Sequence, residues 1–278
     1  MTTRSSARSG AGEFRHRIGR VTDPTPYMRA LRASHDRLAG IAGSLDSDDL
    51  RKRSYATEWS IADVLSHLGS GAEIFELFVN AGLGGEPPAQ EDNQRIWDKW
   101  NARSPDEQAS QSVAANEALV SRFESLTPEQ LDSLRVTMFG GMVMDAAGLL
   151  RMRLSEHAVH SWDVEVAVDP AARVSQDAVE LLLGALPQMM QWMGKKAAHP
   201  AVIAITATSP DGAYTLDTGG VTLTPGAGET PASASVELTS EALLRLVYGR
   251  VDESALASGE LRAENVTLPE LRAVFPGF

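Results

Sequence analysis

The chain has 278 residues, of which 43% are hydrophobic and 22% charged, and this composition is typical of a soluble globular protein. Its net charge of −12 at pH 7 argues against binding to the phosphate backbone of nucleic acids. Because the sequence contains no cysteine, disulfides, protein thiolate ligands and a cysteine nucleophile are excluded.

The first residues of the chain differ in composition from the rest. Residues 1–22 are rich in serine, glycine and arginine, with five arginines against Glu13, and they lack the apolar stretch of a secretory signal. We therefore predict that residues 1–23 are a disordered tail or a remnant of cloning. No later apolar run approaches the roughly 20 residues needed to cross a bilayer, and we expect a cytoplasmic protein.

Residues 24–170 are predicted to form a four-helix bundle. Apolar side chains recur at three- and four-residue steps in 28-MRALRASHDRLAGIAGSL-45, which is the pattern of an amphipathic helix. Further helices are expected to begin near Ser60, to cover about residues 94–126 and to run over about residues 144–168. Turn-forming stretches separate them, namely 82-GLGGEPP-88, 127-TPEQ-130 and 139-FGG-141. Four long helices with such connections favour a bundle.

Residues 171–278 show another pattern, which predicts a small α/β domain. The stretch 175-SQDAVELLLGALPQMMQWMG-194 is expected to be one helix. Four short β-branched runs follow, separated by Gly, Pro and Asp residues: AVIAITAT, AYTLDT, VTLTP and ASVELT. A helix in 240-SEALLRLVYGR-250, capped by Ser240, is predicted after them. The expected fold class is therefore α+β, with the helical bundle first.

The stretch 156-EHAVHSWDVE-165 contains side chains that could bind a metal ion. Glu156 and His160 are four residues apart, so on a helix both project from one face and can reach one ion. His157 is an alternative partner for His160, but it points about 100° away from Glu156. One carboxylate and one imidazole make only half a metal site, and alone they are more typical of an ordinary surface pair than of a metal site.

A third candidate ligand lies on the second predicted helix. Ser60 and Asp63 have the spacing of a capping box at its start. His67 then falls at the flank of the apolar stripe, from which a side chain can face the space between helices. With Glu156 and His160 it forms a His₂Glu set, which leaves a coordination position open, as catalytic sites do. Because the chain lacks cysteine, any thiolate ligand must come from a small molecule.

Two segments resemble a known family. They are 58-EWSIADVLSHLGSGAEIF-75 and 153-RLSEHAVHSWDVEVA-167, which are similar to the mycothiol-dependent maleylpyruvate isomerase family of DinB-like, metal-binding four-helix bundles. The positions that fit the family pattern are Trp59, Asp63, His67, Glu156, His160, Trp162 and Asp163. Residues 171–278 also resemble the family's second, sterol-carrier-like domain, with 248-YGR-250 at its Gly-Arg turn.

The resemblance implies a divalent metal, usually zinc, held by His67, Glu156 and His160. It also implies that the thiolate of mycothiol takes the open position and attacks an electrophilic substrate. Cis–trans isomerisation of a maleylpyruvate-type substrate, or S-transfer, would follow. Arg250 is expected either to bind an anionic group of the substrate or of the thiol cofactor, because guanidinium forms bidentate contacts with carboxylates, or to be a turn residue in a surface salt bridge. Asp163 is expected either to orient a ligand imidazole or to be solvated.

Two other functions remain open from the sequence. A non-enzymatic protein could hold a metal or a small ligand without catalysing a reaction. A metal-dependent hydrolase would place water at the open position, and Asp63, one turn before His67, could then act as its general base. In each case we expect small-molecule partners, no nucleic acid, no membrane, and a monomer or homodimer. The Ala-, Arg- and Asp-rich composition is typical of an actinobacterial host.

Overall fold

The structure is a computed structural model, and it describes residues 23–56, 58–138 and 141–277. The tail predicted over residues 1–23 lies outside this part of the chain except for Asp23. The first two residues of the predicted break at 139–141 also lie outside it. Within the described ranges, a helical N-terminal part is followed by a part built around a sheet, which confirms the predicted α+β class.

Over the residues that the structure describes, the N-terminal part contains four long helices and three short ones. Their bounds are α1 Thr25–Ala42, α2 Ser47–Leu50, α3 Ile61–Gly82, α4 Gln90–Asn101, α5 Pro105–Glu124, α6 Pro128–Ser133 and α7 Ala146–Glu165. A two-stranded hairpin, β1 Val136–Thr137 with β2 Val143–Met144, precedes α7. Helix α3 packs against α5 and α7, and α1 packs against the same two helices. Helices α1, α3, α5 and α7 therefore form the predicted bundle, and α3 and α7 are neighbours in it.

The prediction of one continuous helix over about residues 94–126 is wrong. The structure breaks it into α4 and α5 at residues 102–104. Ser104 caps the backbone N–H of Glu107, and the Glu107 carboxylate accepts from the backbone N–H of Ser104 in return. Pro105, at the first helical position, lacks the N–H that a continuous helix would need there. A strong local start signal thus outweighs the continuing apolar periodicity.

The C-terminal part, as described up to residue 277, is a five-stranded sheet with five helices. The strands are β3 Val202–Thr208, β4 Gly212–Asp217, β5 Thr222–Pro225, β6 Ala234–Thr239 and β7 Leu261–Glu264, in the spatial order β5-β4-β3-β6-β7. Strands β3 and β6 are parallel and the other neighbours are antiparallel. The helices are α8 Gln176–Leu183, α9 Leu186–Met193, α10 Ser240–Val247, α11 Glu253–Ala257 and α12 Leu268–Val274. The four predicted strands are thus confirmed.

Two details of the predicted helices in this part are wrong. The helix expected over residues 175–194 is divided into α8 and α9, with Gly184 ending the first and Pro187 within the first turn of the second. Thr239 rather than Ser240 caps α10, because its side chain accepts from the N–H of Ala242. The Ser240 hydroxyl instead donates to the carbonyl of Pro210.

The two parts are joined by a common core. One cluster of buried apolar side chains runs from the bundle into the sheet and its helices, and it includes Leu31, Phe78, Phe123, Leu149, Ile203, Leu243 and Phe275. Helix α8 packs against α1 and α7 of the bundle as well as against α10. Among the described residues, no helix has the length and apolar character needed to cross a lipid bilayer. The shared core fixes the turn after α10 close to the bundle.

Candidate metal centre

The structure brings His67, Glu156 and His160 together between α3 and α7. Their candidate ligand atoms all lie within 4.8 Å of one another. The Nε2 atom of His67 is 3.2 Å from Oε2 of Glu156, and Nε2 of His160 is 3.8 Å from the same oxygen. The two imidazole centroids are 4.6 Å apart. Two nitrogen donors and one carboxylate therefore face a common point, although 89 residues separate His67 from Glu156.

Local sequence explains why each helix presents these side chains. Ser60 caps α3 and Asp63 completes the capping box, so the start of this helix is fixed seven residues before His67. The structure thus confirms the capping box that the sequence predicts for Ser60 and Asp63. On α7 the four-residue spacing of Glu156 and His160 puts both side chains on the face directed towards α3.

The three side chains lie at the wall of a cavity of about 550 Å³. Its other described lining residues are Ala56, Glu58, Trp59 and Arg250. The Trp59 ring lies 5.2 Å from that of His67 and 6.2 Å from that of His160, nearly parallel to the second. A larger cleft of about 660 Å³ near Arg37 and Arg173 contains none of the predicted ligands. The candidate ligands therefore face a space large enough for a small molecule.

The loop that carries Trp59 is held against α7. The backbone N–H of Tyr55 donates to the carbonyl of Asp163, and Arg53 and Ser60 form an isolated β-bridge across the loop. Sequence reasoning assigned no role to Glu58, although the cavity wall includes it. The available signal was its position beside Trp59 in 58-EWS-60.

The electrostatics of the cluster favour an anionic carboxylate beside neutral imidazole. Burial raises the pKa of Glu156, but the hydrogen bond from His67 and the nearby positive groups outweigh burial and hold the pKa at about 2. Burial lowers the pKa of His67 below its ordinary value, against the opposing effect of Glu156. At neutral pH the His67 ring is therefore neutral, and a neutral imidazole can offer a nitrogen lone pair to a metal ion that takes the place of its hydrogen bond to Glu156.

A buried ion pair lies behind His160. Its Nδ1 is 2.9 Å from Oδ2 of Asp163, and this carboxylate accepts from Nε and Nη2 of Arg250 at 3.2 and 3.0 Å. Asp163 is 0% exposed and Arg250 is 3% exposed. Burial raises the pKa of Asp163, but its bonds to His160 and Arg250 leave that pKa below the ordinary value. Of the two roles expected for Asp163, the structure shows contact with the imidazole.

Arg250 reaches this position through a tight turn after α10. Gly249 has φ +73°, a conformation that favours glycine, and a Cβ there would collide with the backbone of Gly277. Nη1 of Arg250 donates to the carbonyl of Tyr248 at 2.6 Å. The expectation from the sequence was an anion of the substrate or cofactor, whereas the anion bound by Arg250 in the structure is Asp163. The C-terminal part thereby contributes one side chain to the cavity wall.

Two residues considered in the sequence lie away from the cavity wall. Asp63 is exposed, and its carboxylate accepts from the backbone N–H and the hydroxyl of Ser60. His157 is fully buried on the opposite side of α7, where its Nδ1 lies 2.8 Å from the hydroxyl of Ser34. Neither is among the described residues that line the cavity.

Comparison with known proteins agrees with this arrangement. Residues 31–165 match the family described as the mycothiol maleylpyruvate isomerase N-terminal domain. Residues 31–165 thus carry a domain of that family. The match ends at the last residue of α7, so it includes His67, Glu156, His160 and Asp163. No curated protein sequence matches the chain significantly.

Two solved structures extend the likeness to the C-terminal part. They are crystal structures of a mycothiol-dependent maleylpyruvate isomerase and of a mutant of this isomerase, with TM-scores of 0.66 and 0.64. Each covers 90% of this chain and 96% of its own length, at 14% identity. At this identity the likeness shows that the fold is shared, including the sheet that follows the family domain.

Proposed function

We propose that the chain is a divalent-metal-dependent enzyme that uses a low-molecular-weight thiol, mycothiol, to attack an electrophilic substrate. The convergence of His67, Glu156 and His160 at one wall of a cavity is the observation that supports this most. The match of residues 31–165 to a family whose description names mycothiol and isomerisation supports the choice of thiol. Maleylpyruvate-type cis–trans isomerisation and S-transfer both fit the proposal, since each begins with formation of a carbon–sulfur bond.

The three side chains fit a metal such as zinc. Two imidazole nitrogens and one carboxylate oxygen are a ligand set found in catalytic zinc sites, where a further position stays open. Among the described residues, no lysine or arginine forms an ion pair with Glu156, so its charge is available to a cation. When bound, a divalent ion lowers the pKa of a thiol ligand and so supplies a reactive thiolate near neutral pH.

The residues behind the ligands would fix their orientation. Because a carboxylate only accepts hydrogen bonds, the contact of Asp163 with Nδ1 of His160 requires the proton on Nδ1. The Nε2 atom, which faces Glu156, is then the one with a free lone pair. Arg250 in turn holds both oxygens of Asp163, so this carboxylate is fixed in place and rotation of the imidazole would break its bond to Asp163.

The cavity would hold the reactants beside the ligands. Trp59 covers one side of the two imidazole rings, and the cavity volume of about 550 Å³ suits the reacting part of a thiol and a small electrophile. Two substrates held next to each other react at a higher effective concentration than in solution. The exposed, helix-capping position of Asp63 gives no comparable support to the hydrolase alternative.

Metal analysis of gently purified protein tests the proposal. We expect about one zinc or similar ion per chain in the wild type, loss of the ion in His67→Ala and His160→Ala, and retention in His35→Gln as the matched histidine control. In cobalt-substituted protein, mycothiol should then produce a thiolate-to-metal absorption band. Absence of metal after reconstitution with excess zinc would refute the hypothesis of a metal-dependent enzyme and favour a non-enzymatic binding protein. Metal binding without a thiol-dependent band would refute the proposal that mycothiol binds at this metal.

A further inference from the structure

Arg153 is a buried arginine of α7 that the proposed function leaves without a role. It lies one helical turn before Glu156, is 2% exposed and is not among the described residues that line the cavity. Burial lowers its pKa to about 10, against the opposing charge of Glu156, so the side chain is charged at neutral pH. Among the described residues it forms no ion pair, and its Nε atom has no hydrogen-bond partner. A buried cation without a counter-ion is unfavourable, so the hydrogen bonds that it does form are the ones that hold it in place.

The hydrogen bonds of Arg153 reach two other helices of the bundle. Its Nη2 donates to the backbone carbonyl of Leu68 on α3 at 2.8 Å and to Oδ1 of Asn116 on α5 at 2.5 Å. Leu68 follows His67 directly in the chain, so the first bond joins the backbone beside one candidate ligand to the helix that carries the other two. Asn116 is oriented from its own helix, because its Nδ2 donates to the carbonyl of Ser112 at 2.9 Å. One guanidinium thus connects α3, α5 and α7 next to the candidate metal centre.

The sequence of α3 leaves room for this guanidinium. Gly71 lies one helical turn after His67, and a Cβ at this position would lie 2.9 Å from Nη1 of Arg153. Because that distance is too short for a carbon–nitrogen contact, a larger residue would push the guanidinium away from α3. One turn further along α3, the centre of the Phe75 ring lies 5.4 Å from the guanidinium carbon, within the range of a cation–π contact. Gly71 and Phe75 therefore fit the guanidinium against the helix that carries His67.

We infer that Arg153 is a positioning residue of the candidate metal centre, which fixes the ligand on α3 relative to the two ligands on α7. The inference rests on the proposed function and adds a residue to it. A shift of α3 along α7 would move His67 away from both other ligands, and metal sites tolerate only small changes in ligand distances. The bond from Arg153 to the carbonyl of Leu68 opposes such a shift. The bond to Asn116 keeps the guanidinium itself from moving with either helix.

Zinc affinity, measured by competition with a chelator, distinguishes a positioning role from an effect of charge. By charge alone, removal of a cation near the site would strengthen the binding of a divalent ion, whereas loss of positioning weakens it. We expect Arg153→Met to reduce zinc affinity about tenfold or more. Asn116→Leu changes no charge and should also reduce it, by about three- to tenfold, because the guanidinium loses its bond to α5.

Val120→Ala is the matched control for these variants. Val120 is a buried apolar residue on the same helix as Asn116, and its truncation removes core packing without touching the bonds of Arg153. We expect it to lower the midpoint of urea denaturation and to leave zinc affinity within about twofold of the wild type. A role of Arg153 in stability alone would give the same pattern in Arg153→Met, with zinc affinity unchanged.

Crystal structures of the metal-free proteins test the geometry directly. The distance from Nε2 of His67 to Oε2 of Glu156 is 3.2 Å, and it should increase by about 0.5 Å or more in Arg153→Met and stay unchanged in Val120→Ala. If Arg153→Met does not fold, Gly71→Ala replaces it, because the added Cβ displaces the guanidinium and keeps its charge.

Two results would overturn the inference. One is an unchanged distance between His67 and Glu156 in the variant that displaces or removes the guanidinium. The other is a zinc affinity of that variant equal to or above that of the wild type. Failure of the proposed function would appear in the wild type itself, as absence of metal or of the cobalt–thiolate band. In that case the metal-free structures still decide whether Arg153 fixes the distance between the two helices.

Discussion

Helix α7 contributes to two histidine clusters, and they differ in what their carboxylates contact. On one side, Glu156 lies with His67 and His160 at the cavity wall. On the other side, α7 and α1 bury His157 and His35, and Glu117 of α5 reaches Nε2 of His35 at 3.0 Å. Both sites place a carboxylate oxygen within hydrogen-bonding distance of an imidazole.

The second cluster also contains three potential ligand atoms, from His35, Asp36 and Glu117, within 4.8 Å of one another. Its carboxylate, however, is already bound by Arg32 through two nitrogens. Hydrogen bonds from Arg32 hold the pKa of Glu117 at about 2. A metal ion there would compete with a guanidinium and be repelled by it. Proximity of ligand-type atoms is therefore insufficient, and the partner of the carboxylate distinguishes a candidate metal site from an ion-pair network.

The pair of Arg250 with Asp163 is buried, whereas the pair of Arg32 with Glu117 is partly exposed. This difference predicts the largest effect on stability. Arg250→Met leaves the fully buried Asp163 without its cation, so we expect the free energy of unfolding to fall by about 3–5 kcal/mol. Arg32→Met removes ion pairs with three carboxylates that are all at least 39% exposed, those of Asp36, Glu117 and Glu124, and should cost about 1 kcal/mol or less. Urea denaturation of metal-free protein measures both changes.

The double variant Asp163→Asn/Arg250→Met is the control for the buried pair. It removes the unpaired charge, so it should recover part of the stability that Arg250→Met loses. Equal losses in Arg250→Met and Arg32→Met would show that burial does not distinguish the two pairs. The assignment of Arg250 as the residue that fixes Asp163 would then fail.

The second predicted effect, a loss of metal affinity, is smaller. Asp163→Asn replaces the carboxylate that contacts Nδ1 of His160 with a weaker acceptor, which should reduce zinc affinity about 10- to 100-fold. Asp36→Asn removes an exposed acid of the other cluster and should leave the affinity unchanged. Competition with a chelator gives both values. Equal zinc affinities in the two variants would contradict an orienting role for Asp163.

The parts of this site that sequence could predict depend on local spacing. The capping box of Ser60 and Asp63 and the pairing of Glu156 with His160 each lie within four residues on one helix. His67 could be joined to them only as a hypothesis, from its position at the flank of an apolar stripe and from the family resemblance, because helix periodicity does not say which helices are neighbours. The bond between Asp163 and Arg250 joins residues 87 positions apart, and the sequence around neither residue predicts this contact.

The fold shows the same limit at its helix breaks and short strands. Residues 102–104 interrupt an apolar periodicity that continues on both sides, and only the Ser-Pro start of α5 marks the interruption. Strand β7, Leu261–Glu264, has four residues and alternates too briefly to be recognised alone. Its backbone pairs with β6, so a tertiary contact rather than local preference fixes it as a strand. Long amphipathic helices, by contrast, carry enough repeats to be predicted.

The smallest predicted effect is the pH dependence of stability, which should come from the cluster of His35, Asp36 and Glu117. Burial lowers the pKa of His35 in the folded protein, against the opposing charge of Glu117, whereas an unfolded histidine titrates near 6.5. The unfolded chain therefore binds the proton more readily. The stability from a neutral His35 is complete above about pH 6.5 and falls with decreasing pH, by at most about 1.4 kcal/mol per pH unit.

Comparison of wild type with His35→Gln isolates this contribution from those of the other histidines. Free energies of unfolding of both metal-free proteins, measured from pH 7.5 to 5, should converge as the pH falls, because the variant lacks the group that takes up the proton. Zinc should be bound equally by the two proteins at pH 7.5, since His35 lies outside the candidate metal centre. Parallel stability curves would show that His35 keeps an ordinary pKa in the folded protein. The cluster of His35, Asp36 and Glu117 would then lack the lowered histidine pKa that burial gives His67 in the candidate metal centre.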